Sequence, residues 1–126
     1  MSPDKHRARA ERIERSLQRL TDADWEIRIE AAMLAGTHWA NYALHAVGAS
    51  AASEDMVHAS MTAVSFLRKY RLAEPVLIEQ LEEIEELRPL FVRGDVDGGP
   101  QAAARALDLL RSIRERALMN ESWRQE

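Results

Sequence analysis

"TDADWEIRIEAAMLAGTHWANYALHAVG", Thr21 to Gly48, is the stretch on which the fold turns. At about 100° per residue, Trp25, Ile29, Ala32, Met33, Gly36, Trp39, Ala40, Ala43 and Val47 fall on one broad side. That period belongs to an α-helix with a core-facing side. Thr21 or Asp22 can cap the free N–H groups at its start, Leu20 and Trp25 can form a hydrophobic staple if Thr21 is the cap, and Gly48 is a natural stop. The small residues Ala32, Gly36, Ala40 and Ala43 let a neighbouring backbone come close, with Trp39 filling space beside the contact.

No charged residue stands between Glu30 and Glu54, which raises a membrane span as a reading. A span needs about 20 predominantly apolar residues, and Thr37, His38, Asn41, Tyr42 and His45 interrupt the run. A buried helix of a soluble bundle is the expectation.

Working outward, Pro3 opens a first helix after Ser2, with Ala10, Ile13, Leu17 and Leu20 as a narrow apolar seam that predicts a peripheral basic helix over 1–20. Ser53 caps an expected third helix, "EDMVHASMTAVSFLRKYRL", with Val57, Met61, Val64 and Leu67 inward and Asp55, His58, Thr62 and Lys69 on the opposite side. Pro75 starts "PVLIEQLEEIEELRPLF", which Pro89 should kink or end because it has no N–H to give the preceding turn. "RGDVDGGP" is a loop, and Pro100 opens a last helix with Ala103, Leu107, Leu110, Ile113 and Ala117 on one side. No run alternates as a strand does. The fold class is therefore all-α, an up-and-down antiparallel bundle of four to five helices, with 126 residues forming one domain whose core bundle is 22–119.

The net charge of −4 provides no global field toward nucleic acid or an anionic membrane. The absence of cysteine removes disulfides, thiolate metal sites and cysteine nucleophiles. The charged start "MSPDKHRARAERIERSL" lacks the apolar region of a secretory signal, so a cytoplasmic protein is expected. The arginines of the first helix (Arg7, Arg9, Arg12, Arg15, Arg19) and the glutamates of the fourth (Glu79, Glu82, Glu83, Glu85, Glu86) suggest neighbours or paired subunits. Each run also fits a solvated helix face, and no aromatic residue interleaves the arginines as a nucleic-acid stacking surface would require.

The second side of the Thr21–Gly48 helix carries Glu30, Leu34, Thr37, His38, Asn41 and His45. A solvated face usually carries Lys, Glu or Arg, whereas this stripe is mostly neutral hydrogen-bonding groups. It fits a polar seam covered by another helix or a second copy, a ligand or catalytic pocket, or a wetted face. His38 and His45 stand seven residues apart, about 10 Å along a helix at 1.5 Å per residue, too far to chelate one ion. "DMVH" has the spacing of half a di-iron motif, but the other half is missing, and "GDVDGG" lacks the spacing and closing glutamate of a calcium loop. No metal, cofactor or catalytic set is expected. Arg88 projects onto the apolar stripe of Leu77, Leu81, Ile84 and Phe91, where its charge needs Glu30, the neutral stripe or a route to water.

The order of these features resembles a family. "IRIEAAMLAGTHWANYALHAVG", "LIEQLEEIEELRPLF" and "PQAAARALDLLRSIRERAL" look like the early, arginine-bearing and closing helices of HEPN domains, over roughly Trp25 to Leu118. The resemblance implies a dimeric helical bundle, and in many members an RNase whose arginine is followed four to six residues later by a histidine. Arg88 matches the arginine, but "PLFVRGD" after it has no histidine. What the resemblance then implies is a non-enzymatic interaction module, a homodimer with a possible protein partner, accessory to a nucleotidyltransferase or a toxin–antitoxin type system. The alternatives are a degenerate HEPN ribonuclease, or a small-ligand binder or enzyme with Glu30, Thr37, His38, Asn41, His45 and Arg88 around one polar pocket, a histidine as acid or base and Arg88 holding an anion.

Overall fold

The computed structural model describes residues 1–59 and 68–125, with side chains up to residue 119. Its elements are α1 (Pro3–Leu17), α2 (Trp25–Ala46), α3 (Arg68–Ala73), α4 (Pro75–Phe91) and α5 (Gly99–Gln125), with a 3₁₀ turn at Asp22–Asp24 leading into α2. The fold is an all-α helical bundle. Among the described residues there is no strand, and no helix is long and apolar enough to cross a membrane.

Local chemistry sets the helix ends. The Ser2 hydroxyl accepts from the Lys5 N–H at 3.3 Å, with Pro3 as the first helical residue. Thr21 and Asp24 form a reciprocal capping box, the Thr21 N–H donating to Asp24 Oδ2 at 2.8 Å and the Thr21 hydroxyl accepting from Ala23. After Ala46, Gly48 takes a φ of +78°, which an L side chain rarely adopts, and the N–H groups of Ala49 and Ser50 both return to the Leu44 carbonyl. This turn sends the following segment back along α2.

α2 is the central element, packed on α1, α4 and α5, and α4 also packs on α5. Its expected core side is buried from Ile29 through Ala43, joined by Leu77, Leu81 and Ile84 of α4 and Ala103, Leu110, Ile113 and Ala117 of α5. Gly36 marks the close approach to α4, since a Cβ there would stand 3.0 Å from Leu81 Cδ1. At Gly99 a Cβ would lie 2.4 Å from the Trp25 ring, so the start of α5 sits directly on the start of α2.

Several expectations are corrected. Val47 is exposed, because α2 ends at Ala46 and the chain turns away before Val47 can use the core side. α1 packs along α2 and buries more than its apolar seam, since His6 is buried with Ala10 and Leu17. α4 continues through Pro89 to Phe91, two residues later, where the loss of one N–H costs little because the last turn is ending. The helix expected from Ser53 does not form over residues 54–58, where Val57 is exposed and Met56 is buried instead. Met61, Thr62, Val64 and Leu67 lie outside the described residues. The ion pairs of the α4 glutamates run to other elements than α1: Glu82 to Arg71, Glu83 to Arg105 at 2.6 Å and Glu85 to His58 at 3.3 Å.

Candidate functional site

Asn41 fixes the segment that follows α2. Its Oδ1 accepts from the Met56 N–H at 2.8 Å, and its Nδ2 donates to the Met56 carbonyl at 2.8 Å and to the Thr37 carbonyl at 3.1 Å. Asn41 is buried and its amide is fully engaged, so it is a clamp on the backbone. The clamp sets Asp55 above the C-terminal half of α2, facing α1.

There Asp55 gathers three groups. Its Oδ1 lies 2.8 Å from His6 Nε2 and 2.8 Å from His45 Nε2, and its Oδ2 lies 3.1 Å from the Met1 ammonium, which also donates to the Ala52 carbonyl. Partial burial works to raise the Asp55 pKa, but the hydrogen bonds from His6, His45 and the ammonium outweigh it and hold the carboxyl well below the usual range. The ionised carboxylate only accepts, so both Nε2 atoms carry hydrogen. Burial lowers the pKa of His6 despite the opposing pull of Asp55, and burial followed by the nearby charges of His6 and Arg9 lowers that of His38.

A neutral His6 with its hydrogen on Nε2 has a bare Nδ1. Facing it at 2.9 Å is His38 Nδ1, which must therefore be the donor. The hydrogen-bond partners thus assign His38 its hydrogen on Nδ1 and leave Nε2 with a free lone pair. At the other flank Ser50 Oγ lies 2.6 Å from His45 Nδ1. The three rings stack as a tilted cluster, with His6 centroids 5.2 Å from His38 and 5.3 Å from His45.

A cavity of about 510 Å³ adjoins this cluster and runs along α2. Met33 and Met56 form buried walls, Ile27, Leu34 and Val57 are exposed around it, and His38 lines it together with His6 and Asp55. Glu30 stands about two helical turns, roughly 12 Å, from His38 along α2, and Arg88 of α4 lines the cavity with it. Arg88 Nε donates to Glu30 Oε1 at 2.7 Å, so Glu30 is the anion that Arg88 holds.

The stripe expected from sequence is therefore divided. Glu30, Thr37, His38, Asn41 and Arg88 all border the cavity, while His45 does not. Thr37 donates to the Met33 carbonyl at 2.8 Å, Asn41 is spent on Met56, and Glu30 and Arg88 hold each other. His38 borders the cavity, and its Nε2 has no hydrogen-bond partner among the described residues. Asp55 and His58, expected on one face, part company: Asp55 joins the histidines and His58 is exposed beside Glu85. Sequence reasoning missed His6 and the role of Asp55. The signal for His6 was present, because it precedes Ala10, Ile13 and Leu17 at spacings of four, three and four on the seam of α1.

No protein-family model, no curated protein and no solved structure matches this chain.

Proposed function

We propose that this chain is a small-molecule-binding helical bundle, the pocket reading of its polar stripe. The observation that carries the reading is the cavity of about 510 Å³, within the roughly 300–1,000 Å³ usual for small-ligand sites. Its walls are mostly apolar, and His38, which lines it, offers the Nε2 lone pair to fix orientation. The ligand class is a compact apolar molecule with one hydroxyl or N–H donor for His38. The same nitrogen can accept a proton from a bound molecule, as a general base does.

N-phenyl-1-naphthylamine, an apolar secondary amine with a naphthyl and a phenyl group and one N–H donor, is a suitable fluorescent probe. The wild-type chain is expected to bind it saturably, one per chain. His38→Ala should weaken binding about tenfold, the loss of one hydrogen bond of roughly 1.4 kcal/mol, and Ala31→Phe, which intrudes from the cavity wall, should abolish it. Absence of binding, or equal binding by all three proteins of unchanged circular dichroism, contradicts the reading.

A second reading is favoured by the exposed Ile27, Leu34 and Val57: a HEPN-like interaction module that dimerises through this face. Light scattering separates the two, since the second reading requires a dimer that Leu34→Glu dissolves. A cytoplasmic location agrees with the lack of cysteine.

A further inference from the structure

The same cluster that orients His38 has the composition of a metal centre. His6, His45 and Asp55 each offer one ligand atom, and the three atoms lie within 4.8 Å of one another. We propose that His6 Nε2, His45 Nε2 and Asp55 Oδ1 bind one divalent transition-metal ion of the zinc class, with its open coordination position toward the cavity. The inference goes beyond the pocket reading and does not rest on it: the ion can bind with the cavity empty, and an apolar probe can bind without the ion.

Three observations converge on it. The first is the donor set, since two imidazoles and one carboxylate suit zinc, cobalt, nickel or iron and not magnesium or calcium, which prefer all-oxygen shells. The second is the outer layer. Ligating histidines nearly always have the other ring nitrogen held by a hydrogen-bond partner, and here His38 Nδ1 faces His6 Nδ1 at 2.9 Å while Ser50 Oγ faces His45 Nδ1 at 2.6 Å. The third is access, because His6 and Asp55 themselves line the cavity, so a three-ligand ion there keeps a position open to water or ligand.

The geometry needs adjustment at every edge of the site, since the two imidazole nitrogens, standing within 4.8 Å of each other, must settle to the same edge length as the nitrogen–oxygen pairs. Each nitrogen–oxygen separation of 2.8 Å must widen by about half an ångström to reach the roughly 3.3 Å edge of a tetrahedral site with bonds near 2.0 Å. The Met1 ammonium on Asp55 Oδ2 competes for the carboxylate's charge, but it occupies the other oxygen. Protons balance without release from the Nε2–H tautomers: the ion takes the Nε2 lone pair of each ring, and each ring's hydrogen moves to Nδ1. His38 Nδ1 and Ser50 Oγ accept those hydrogens, and His38 then carries its own on Nε2. Loading the ion thus converts His38 from an acceptor toward the cavity into a donor.

The test uses the chain of 126 residues beginning at Met1, stripped with chelator and titrated with Co²⁺, then Zn²⁺ in competition. One ion per chain is expected, with visible d–d absorption of a low-coordinate cobalt centre that zinc bleaches. His6→Ala and His45→Ala should each weaken cobalt binding at least about tenfold, His38→Ala about 10–100-fold through the lost orientation of His6, and His58→Ala not at all. Two results overturn the proposal: no cobalt spectrum and no uptake by the folded wild-type chain at equimolar metal, or uptake that persists undiminished in His6→Ala and His45→Ala. The wild-type measurement decides even if a variant fails to fold. Probe binding measured in chelator keeps the pocket reading separate.

Discussion

Replacing Trp39 with alanine should lower the stability of the chain by about 3–5 kcal/mol, the range for deleting a buried aromatic ring. Trp39 is 1% exposed and lies where three helices meet. Its indole N–H, on α2, donates to Glu14 Oε2 of α1 at 3.0 Å, and Glu14 Oε1 accepts from Arg114 of α5 at 3.0 Å. Tyr42 meets its ring edge-on at a centroid distance of 5.7 Å. Small neighbours such as Ala40 and Ala43 cannot expand into the space that the ring would leave. Trp39→Phe keeps most of the ring and loses the hydrogen bond, so its cost should be nearer 1–2 kcal/mol. Urea unfolding followed by circular dichroism measures both. A loss under 1 kcal/mol for Trp39→Ala would mean that this junction is not the centre of the bundle.

The second large effect is expected at Asn41, and it links stability to the site. Asn41→Ala removes two hydrogen bonds to Met56 and leaves the N–H and carbonyl of a buried backbone unit without that partner. Each such group costs about 1–3 kcal/mol, so a total of about 2–6 kcal/mol is expected, or a fall in Tm of roughly 8–24 °C for a chain of this size. Asn41→Asp retains the acceptor for the Met56 N–H but turns a carboxylate toward the Met56 carbonyl, and should be no better. In either variant the segment carrying Asp55 loses its anchor, so the ordering of His6 and His45 should fail along with stability. Thermal denaturation and the histidine ring resonances report the two effects. A variant with unchanged Tm and unchanged histidine resonances would show that the clamp is dispensable.

The all-α class, the core side of α2 and the approximate place of its ends were legible because they rest on local signals: a 3.6-residue period, a threonine that caps the 3₁₀ turn leading into α2, and a stop glycine. The meeting of Glu30 with Arg88 was legible for a related reason, since a guanidinium projecting onto an apolar stripe requires a partner. The segment after Gly48 was not. "SEDMVHAS" carries a capping serine and an acceptable helical pattern, yet Asn41 takes both the N–H and the carbonyl of Met56 that a helix would use. Tertiary hydrogen bonding there overrides local propensity, and no pattern within the segment announces it. His6 was obscured by its basic neighbours in "DKHRARAER", although its spacing from Ala10 placed it on the buried seam. Asp55 illustrates the wider difficulty. A neutral polar stripe shows that hydrogen-bonding groups lie together but not which distant carboxylate they converge on.

The site rests on an order of protons: Asp55 fixes the hydrogens of His6 and His45 on Nε2, and His6 in turn fixes that of His38 on Nδ1, leaving His38 Nε2 bare beside the cavity. Long-range ¹H–¹⁵N correlation spectra of the imidazole rings, recorded at neutral pH on chelator-stripped protein, read this order directly. The expected result is the Nδ1–H tautomer for His38 and the Nε2–H tautomer for His6. A His38 ring with its hydrogen on Nε2, or a His6 ring bare at Nε2, would contradict it.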